Sequence, residues 1–502
     1  MKNKKKKKDL MFYEIYPTSF QDSNHDGVGD LKGITKRLDY IAELGFNGIW
    51  LNPFYVSPFL DGGYDVADFF DVDPRFGTLQ DFDDLIKKAH ELGISVIVDL
   101  VAGHASCQNP DFLESAKWER NKKSDLFIWN SSVWDYEPNY RLIGGMYPRH
   151  GNYMVNFFAH QPAFNYGFAK VEYPSWQMSY KDERTMLARN YLLDVMRFWL
   201  KRGADGFRVD MADSLVKNDE DKSATIEVWQ YLFKAIRAEY PDAFFVSEWS
   251  HPERAFEAGF DADFVLDHWD NFYHRLTRSN ENTRGTSYFH HGEQGEFILK
   301  DLLERYAAAN KYHKALALIS GNHDTTRIAN YLNHEELKLF YLMLFTLPGI
   351  PFVLYGDEIE MKTSEIPSRD GGYQRTGTRI PMIWDDSVSY HDFSDTKGET
   401  YLPFYEKNTI SVESAWNDPD SLLHWIKELT ALRSSLDDLK EEAIEIRKEG
   451  DVWRFDRGTY ELVVNFSNDT ITLENEAVIT TSMKENCLTP VSGALCKKRI
   501  DL

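Results

Sequence analysis

The sequence predicts an α/β fold: a (β/α)₈ TIM barrel with a domain inserted after the third strand and an antiparallel β domain at the C-terminus. Between residues 12 and 433, short apolar runs alternate with longer segments of helical period, a pattern typical of a parallel sheet with covering helices. One long irregular stretch interrupts this alternation, and short strand-like runs replace it near the C-terminus. A length of 502 residues suits one large barrel with appendages better than a single small core.

Eight apolar runs are predicted as the barrel strands. Each is short, consists mainly of apolar residues and has a helical pattern before or after it. The predicted strands cover residues 12–16, 48–51, 95–98, 206–209, 244–247, 264–266, 315–319 and 351–355.

Amphipathic segments between these runs are predicted as the outer helices. One of them follows Thr78, with Asp81 three residues later, which resembles a capping box. The predicted helices cover residues 31–44, 78–92, 184–202, 224–240, 298–310, 336–347 and 421–433.

The remaining segments define the predicted domain organisation. Residues 105–181 are rich in Asn, Tyr, Trp, Pro and Gly, and a structureless loop of this length is rare, so we predict an inserted domain there. The barrel would then comprise residues 9–104 and 182–435. Short strand-like runs predict a C-terminal β domain over residues 436–502, and the lysine-rich residues 1–8 predict a basic disordered tail.

Charge and hydropathy exclude several classes of partner. The formal net charge of -23 argues against nucleic acid and anionic membranes, which require a basic surface. No apolar run approaches the roughly 18 residues of a membrane-spanning helix. The basic start is not followed by an apolar segment, so we expect a cytoplasmic protein without a secretory signal. We expect a small-molecule substrate and a monomer or weak homo-oligomer.

Four acidic residues each follow a short apolar run: Asp99, Asp210, Glu248 and Asp324. In a barrel of this type the carboxyl ends of all strands meet at one face, where chemistry is done. These residues are therefore expected to converge on one acidic pocket. Several carboxyl groups with nearby Arg and His suit acid/base chemistry on an acid-labile bond.

Several motifs occur in a fixed order and together are highly specific. They are Asp99-Leu100-Val101-Ala102-Gly103-His104, Gly206-Phe207-Arg208-Val209-Asp210, Val246-Ser247-Glu248 and Asn322-His323-Asp324, supported by Tyr64-Asp65, Gln161-Pro162 and Arg379-Ile380-Pro381-Met382-Ile383-Trp384-Asp385. In this order they resemble the α-amylase family of glycoside hydrolases (glycoside hydrolase family 13), in its oligosaccharide α-glucosidase-like branch. The resemblance runs from about residue 11 to the end of the barrel.

The resemblance implies roles for the three motif acids. Asp210 would be the nucleophile and Glu248 the acid/base of a retaining glycosidase, which uses two carboxyls about 5–5.5 Å apart. Asp324 would hold ring hydroxyls and favour a distorted sugar. Arg208 lies two residues before Asp210, so both side chains leave the strand on the same side, and its charge favours an ionised Asp210. Asp99 is expected to be structural.

The resemblance also implies substrate-binding residues. Tyr64 would stack on the sugar ring, and His104 and His323 would donate hydrogen bonds to its hydroxyls. Asp61, Arg208 and Arg379 complete the predicted substrate-binding set. For Arg379, a salt bridge at the barrel end and a substrate contact both stay open.

Residues 22–30 form a candidate calcium loop. Alternating oxygen-bearing side chains around a glycine are similar to the first half of an EF-hand loop, although the bidentate Glu of that motif is absent. Related oligosaccharide glucosidases hold a structural Ca²⁺ in such a loop. The ligands here would be Asp22, Asn24, Asp26, Asp30 and the carbonyl of Val28. The alternative is a loop of Asx turns without an ion. No organic cofactor is expected.

Departures from the family pattern affect the expected substrate. Gly103 and Ala163 replace polar residues of a second calcium site, which argues against that site here. No Lys-His pair follows Asp210, which favours short malto- or isomalto-oligosaccharides over starch, and Met211 leaves the linkage open. The alternatives are an α-amylase-type endo-hydrolase, a transglycosylase or isomerase on sucrose or maltose, and a non-catalytic binding barrel or transporter partner. The complete acid set argues against the last.

Overall fold

The computed structural model describes residues 7–135, 137–266, 272–278, 287–290, 295–369, 375–387, 390–441 and 444–499. Residues 1–6 of the predicted tail lie outside this part. Within it, eight parallel strands close into a barrel, so the predicted (β/α)₈ architecture is confirmed. The strands, β1 to β8 in chain order, are Phe12–Ile15, Gly48–Leu51, Ser95–Val101, Gly206–Asp210, Phe244–Ser247, Ala262–Phe264, Ala315–Ile319 and Ile350–Leu354.

The strands pair in chain order, and β8 closes the barrel against β1. The register places Asp99 of β3 opposite Arg208 of β4. Three buried rings pack against one another inside the barrel: those of Trp50 and Phe264, with centroids 5.4 Å apart, and that of Phe352, 4.9 Å from Phe264. Burying such a ring stabilises the fold by roughly 1.5–3 kcal/mol, and the packed rings support the residues above them.

A helix follows each strand, and all the predicted helices are present. In chain order, α1 to α8 are Leu31–Glu43, Leu79–Glu91, Met186–Lys201, Ser223–Glu239, Pro252–Ala258, Gly295–Tyr312, His334–Thr346 and Leu422–Ser435. Thr78 and Asp81 form the predicted capping box at the start of α2. Helix α5 was not predicted, because it is only seven residues long; it has Pro252 in its first turn.

Two strand predictions are wrong in their bounds by two residues or more, and those for β1, β4 and β8 differ from the structure by one residue. Asp99 does not end its strand, because the β3 ladder continues to Val101. The sixth strand is Ala262–Phe264, two residues earlier than predicted, and it contains Asp263. In both cases a buried acid interrupts the apolar run while backbone pairing continues. Oδ1 of Asp263 accepts a hydrogen bond from the hydroxyl of Ser247 at 2.7 Å.

The stretch between β3 and α3 contains little regular structure. Its short elements are the helix Pro110–Ser115 and the antiparallel pair Leu142–Ile143 and Tyr153–Met154. A second short pair, Tyr55–Val56 with Asp68–Val72, follows β2, and the helices Phe272–Thr277 and Val412–Asn417 lie outside the α1–α8 series.

An antiparallel β domain follows α8, as predicted. In spatial order its main sheet contains Glu445–Glu449, Val452–Arg457, Tyr460–Asn465, Ser492–Lys497 and Glu476–Thr480. A smaller sheet contains Ile471–Thr472, Cys487–Leu488 and Met483–Lys484.

The base of the barrel includes the end of the lysine-rich segment. Lys7–Asp9 form a 3₁₀ turn, and the Lys7 ammonium lies 2.9 Å from the Asp261 carboxylate. Lys7 and Lys8, which the sequence analysis assigned to the tail, lie in this turn. Among the helices that the structure describes, none is both long and apolar enough to cross a bilayer.

Candidate active site

A cavity of about 330 Å³ opens at the carboxyl ends of the barrel strands. This is the face at which barrel enzymes act. The predicted acids Asp210, Glu248 and Asp324 all line it, as do Asp61, Tyr64 and His104 of the predicted substrate-binding set. The other lining residues are Phe157, Met211, Asp213, Trp249, Leu266 and Arg375.

Arg208 of β4 joins three carboxylates beneath this pocket. Its Nη1 donates to Asp99 Oδ1 at 2.6 Å and to Asp210 Oδ1 at 3.2 Å, and its Nη2 lies 2.7 Å from Glu248 Oε1. One rigid guanidinium therefore fixes the relative position of Asp210 and Glu248. Asp99 is fully buried behind Arg208 and does not line the pocket.

A backbone contact orients the second carboxylate oxygen of Glu248. Its Oε2 accepts a hydrogen bond from the N–H of Met211 at 2.9 Å. Met211 follows β4 and has φ 41° and ψ 50°, a left-handed conformation that costs energy in a non-glycine residue. The strained turn directly after Asp210 thus helps to position Glu248.

Burial is the main influence on the charge state of Asp210, and the neighbouring Glu248 adds to it. Burial and the Glu248 carboxylate raise the pKa of Asp210 well above its usual value, while Arg208 acts in the opposite direction. Arg208 lowers the pKa of Asp210, as expected, but in the free protein burial and the Glu248 carboxylate outweigh this effect. The Asp210 carboxyl therefore retains its proton at higher pH than an isolated aspartate.

Asp324 lies between two arginines. Its Oδ1 accepts from Arg379 Nη2 at 2.6 Å and lies 3.0 Å from Arg375 Nη1. Burial opposes ionisation, but the neighbouring imidazole and guanidiniums hold the pKa of Asp324 well below its usual range. Burial lowers the pKa of His323, so its imidazole is neutral. We therefore attribute the lowered pKa of Asp324 to the two arginines, which carry permanent charges. Asp324 is therefore ionised at neutral pH.

Arg375 also reaches across to Asp61. Its Nη2 lies 2.5 Å from Asp61 Oδ1, and Gln161 Nε2 donates to Asp61 Oδ2 at 2.7 Å. Burial raises the pKa of Asp61 to about 6 despite this guanidinium. The Asp61–Arg375–Asp324 bridge ties two loops together at the pocket.

Three residues of the predicted substrate-binding set do not line the pocket: Arg208 lies beneath it, and His323 and Arg379 lie behind its wall. His323 is fully buried, with Nδ1 2.7 Å from Glu14 Oε1 and Nε2 2.7 Å from the hydroxyl of Tyr64. Arg379 is also buried, and the salt bridge with Asp324 is the role that the structure favours for it. Neither residue lines the cavity.

His104 lines the cavity, but protein atoms occupy both of its nitrogens. Nε2 lies 3.1 Å from the carbonyl oxygen of Tyr64, and Nδ1 lies 3.2 Å from Asn156 Nδ2. Burial lowers the pKa of His104 to about 3, so the imidazole is neutral at pH 7. A hydrogen bond from His104 to a sugar would replace one of these contacts.

Sequence reasoning missed several residues of the pocket, most importantly Arg375. Arg375 could have been found from the sequence, because it lies just before the identified motif that begins at Arg379. Phe157 and Trp249 supply ring faces, which suit the apolar side of a sugar. Trp249 could have been found because it directly follows Glu248.

The candidate calcium loop has suitable donors but no assembled ligand cluster. The Asp22 carboxylate accepts from three backbone N–H groups of the loop, and Asp30 accepts from Ser23 and Gly33. Within the described residues, no group of three His, Cys, Asp or Glu side chains could hold a metal ion. These contacts are those of Asx turns, so the calcium assignment stays a prediction.

Comparison with known proteins agrees with the geometry. The family described as "Alpha amylase, catalytic domain" matches residues 14–442. A probable alpha-glucosidase of Rhizobium meliloti (strain 1021) is 32% identical over 85% of this chain and 82% of its own length. The trehalose synthase/amylase TreS of Mycolicibacterium smegmatis is 32% identical over 86% of this chain and 76% of its own length.

Solved structures show the same fold. The trehalulose synthase MutB from Pseudomonas mesoacidophila MX-45 superimposes with a TM-score of 0.81 at 24% identity. The match covers 98% of this chain and 99% of that one, so barrel, inserted segment and C-terminal β domain are all included.

Proposed function

Because the chain belongs to the α-amylase family of glycoside hydrolases, we propose that it is a retaining α-glycosidase acting on α-glucosidic bonds of short malto- or isomalto-oligosaccharides. The observation that carries this proposal is the joint binding of Asp210 and Glu248 by the single guanidinium of Arg208. The guanidinium holds the two carboxyls next to each other in the pocket, and their surroundings differ. A double displacement requires such a pair, with one carboxyl as nucleophile and the other as acid.

In the proposed first step, an Asp210 carboxylate oxygen attacks the anomeric carbon. The glycosidic C–O bond breaks, and Glu248 donates its proton to the departing oxygen, giving a covalent glycosyl-enzyme. In the second step, Glu248 removes a proton from water, whose oxygen displaces Asp210. Ionised Asp324 would hold ring hydroxyls and favour the charge that develops on the ring.

The pocket supports action at the end of an oligosaccharide. Its volume of about 330 Å³ lies near the lower limit for ligand sites, and the Asp61–Arg375–Asp324 bridge lines it. We infer that the bridge closes one side of the site and leaves room for a terminal glucosyl unit. The aromatic residues Phe157 and Trp249 would contact the sugar rings.

The experiment that tests the proposal compares wild type with Asp210→Ala and with the exposed control Asp194→Ala. Each would be incubated with maltose, maltotriose, isomaltose, panose, sucrose, trehalose and soluble starch, and the products separated by chromatography. We expect glucose from the short α-glucosides with wild type and control, and none with Asp210→Ala. A folded wild type that cleaves none of these sugars would exclude the proposal.

A transglycosylase or isomerase is the second candidate, because one of the relatives is a trehalose synthase/amylase. The same residues would form the glycosyl-enzyme, and the acceptor would be a sugar hydroxyl instead of water. The substrate panel separates the two, since an isomerase converts maltose or sucrose into a disaccharide of equal mass with little glucose.

We also propose that residues 22–30 bind a structural Ca²⁺. Asp22 and Asp30 are buried, and no lysine or arginine of the described chain forms an ion pair with either. A cation among oxygen ligands would compensate these charges. We expect chelation to lower the Tm, Ca²⁺ to restore it, and an Asp22→Asn/Asp26→Asn variant to respond to neither. A wild-type Tm that is independent of chelator would contradict the site.

A further inference from the structure

Glu14 on β1 is a buried acid beneath the pocket that the proposed mechanism does not use. Its Oε1 lies 2.7 Å from Nδ1 of His323. The amide nitrogen of Asn52, a donor, lies 3.1 Å from this oxygen and 3.0 Å from this ring nitrogen, which also favours Nδ1 as an acceptor. In the described part of the chain, no lysine or arginine lies within 4 Å of its carboxyl group. A buried carboxylate without a cationic partner is strongly disfavoured, so Glu14 has reason to keep its proton. Burial accordingly raises the pKa of Glu14 well above its usual value.

The other nitrogen of His323 faces two acceptors. Nε2 lies 2.7 Å from the hydroxyl oxygen of Tyr64 and 3.6 Å from Oδ1 of Asp324. Asp324 is ionised, so an N–H directed towards it is favourable and a nitrogen lone pair is not. A neutral imidazole has one N–H, and these neighbours favour Nε2 as its position.

We propose that Glu14 is a positioning residue that donates its carboxyl proton to Nδ1 of His323 and thereby fixes the imidazole as the Nε2–H tautomer. Nε2–H then donates to the Tyr64 hydroxyl, which donates in turn to Asp99 Oδ2 at 3.2 Å. Each group in this chain donates to the next, and no buried charge is added. The ring of Tyr64 stacks on the imidazole with centroids 5.3 Å apart, so fixing His323 also fixes Tyr64 at the pocket.

The inference deepens the proposed function, because Tyr64 is the residue expected to stack on the bound sugar. A histidine free to exchange tautomers would let the Tyr64 hydroxyl reorient and would present a lone pair to Asp324. The effect on turnover rests on the proposed function, whereas the proton positions do not.

Neutron crystallography of the deuterated, substrate-free enzyme at pH 7 tests the proton positions directly. We expect deuterium on the Glu14 carboxyl and on His323 Nε2, and none on Nδ1. Deuterium on Nδ1 beside an ionised Glu14 would overturn the inference. This readout is independent of any substrate, so it can fail while the proposed function stands.

Kinetic variants test the positioning role. Glu14→Gln mimics the protonated acid, whereas Glu14→Leu removes the donor. The matched control is Glu358→Leu, another fully buried barrel glutamate, which accepts from Tyr13 and Tyr40 at 2.6 and 2.7 Å.

We expect Glu14→Gln to keep kcat/KM within about two-fold and Glu14→Leu to lower it about ten-fold or more, the scale of a misplaced site residue. Glu358→Leu should lower the Tm and leave kcat/KM unchanged. Equal losses in Glu14→Gln and Glu14→Leu, or wild-type kinetics in Glu14→Leu, would contradict the proposal. If Glu14→Leu does not fold, the Glu14→Gln kinetics and the neutron structure decide.

Discussion

Arg208 holds the two proposed catalytic carboxyls against one guanidinium group. It reaches Asp210 with one guanidinium nitrogen and Glu248 with the other. The sequence predicted this arginine beside the nucleophile, because the two residues alternate on one strand face. The contribution of Glu248 to the raised pKa of Asp210 could not be predicted, because Glu248 follows a different strand.

The raised pKa of Asp210 predicts an unusual acid limb in the pH dependence of kcat/KM. A nucleophilic carboxylate must be ionised, so activity falls as the pH drops through the pKa of Asp210 in the free enzyme. We expect this fall above the value of about 3.9 for an ordinary aspartate.

The Glu248→Gln variant tests the cause of that limb. With α-glucosyl fluoride, whose leaving group needs no proton, we expect the limb to move to lower pH because a neutral amide replaces the carboxylate. A limb that stays in place would show that Glu248 does not raise the pKa of Asp210.

Arg375 is the pocket residue that motif reasoning did not supply, and its contacts predict a large effect. Arg375→Met would leave Asp61 and Asp324 without their shared partner, and breaking buried charge pairs is costly. We expect kcat/KM on maltose or isomaltose to fall about ten-fold or more. Arg197→Met, which removes an exposed ion pair with Glu239, is the control. Equal kinetics in the two variants would refute the role of the bridge.

At the scale of elements, Lys217 connects the inserted stretch to the barrel. It follows β4, and its ammonium donates to Asn156 Oδ1 at 2.7 Å and to the carbonyl oxygen of Ser214. Asn156 in turn contacts His104 at the pocket. The position of the inserted stretch is thereby linked to the site.

Burial lowers the pKa of Lys217 to about 7, which predicts a pH-dependent stability. The cost of burying this lysine is fully present below about pH 7 and fades as the pH rises towards the unfolded value of about 10.4. We therefore expect the Tm of Lys217→Met, relative to wild type, to be more favourable at pH 6 than at pH 9. An identical difference at both pH values would contradict the lowered pKa.

Elements with strong periodicity were predictable, and those without it were not. The barrel strands and seven of their helices follow from apolar period and length, but α5 is too short to leave such a signal. The bounds of β3 and β6 were wrong because Asp99 and Asp263 interrupt the apolar pattern inside a continuous ladder.

For the whole molecule, the fold explains why the pocket was partly predictable. Acids at strand ends must converge on one face of a closed barrel, so their grouping followed from the alternation of strands and helices. Arg375, Phe157 and Asn156 come from irregular segments whose path depends on tertiary packing. His323 and Arg379 were identified by motif, but only the three-dimensional structure separates residues in the pocket from those behind it.

Covalent trapping reports directly on the proposed glycosyl-enzyme at Asp210. The enzyme would be incubated with 5-fluoro-α-glucosyl fluoride, digested, and its peptides analysed by mass spectrometry. We predict one added fluoroglucosyl group on the peptide that contains Asp210, with loss of activity in step with labelling. Labelling of another residue, or turnover with inverted product configuration and no labelled peptide, would contradict the account.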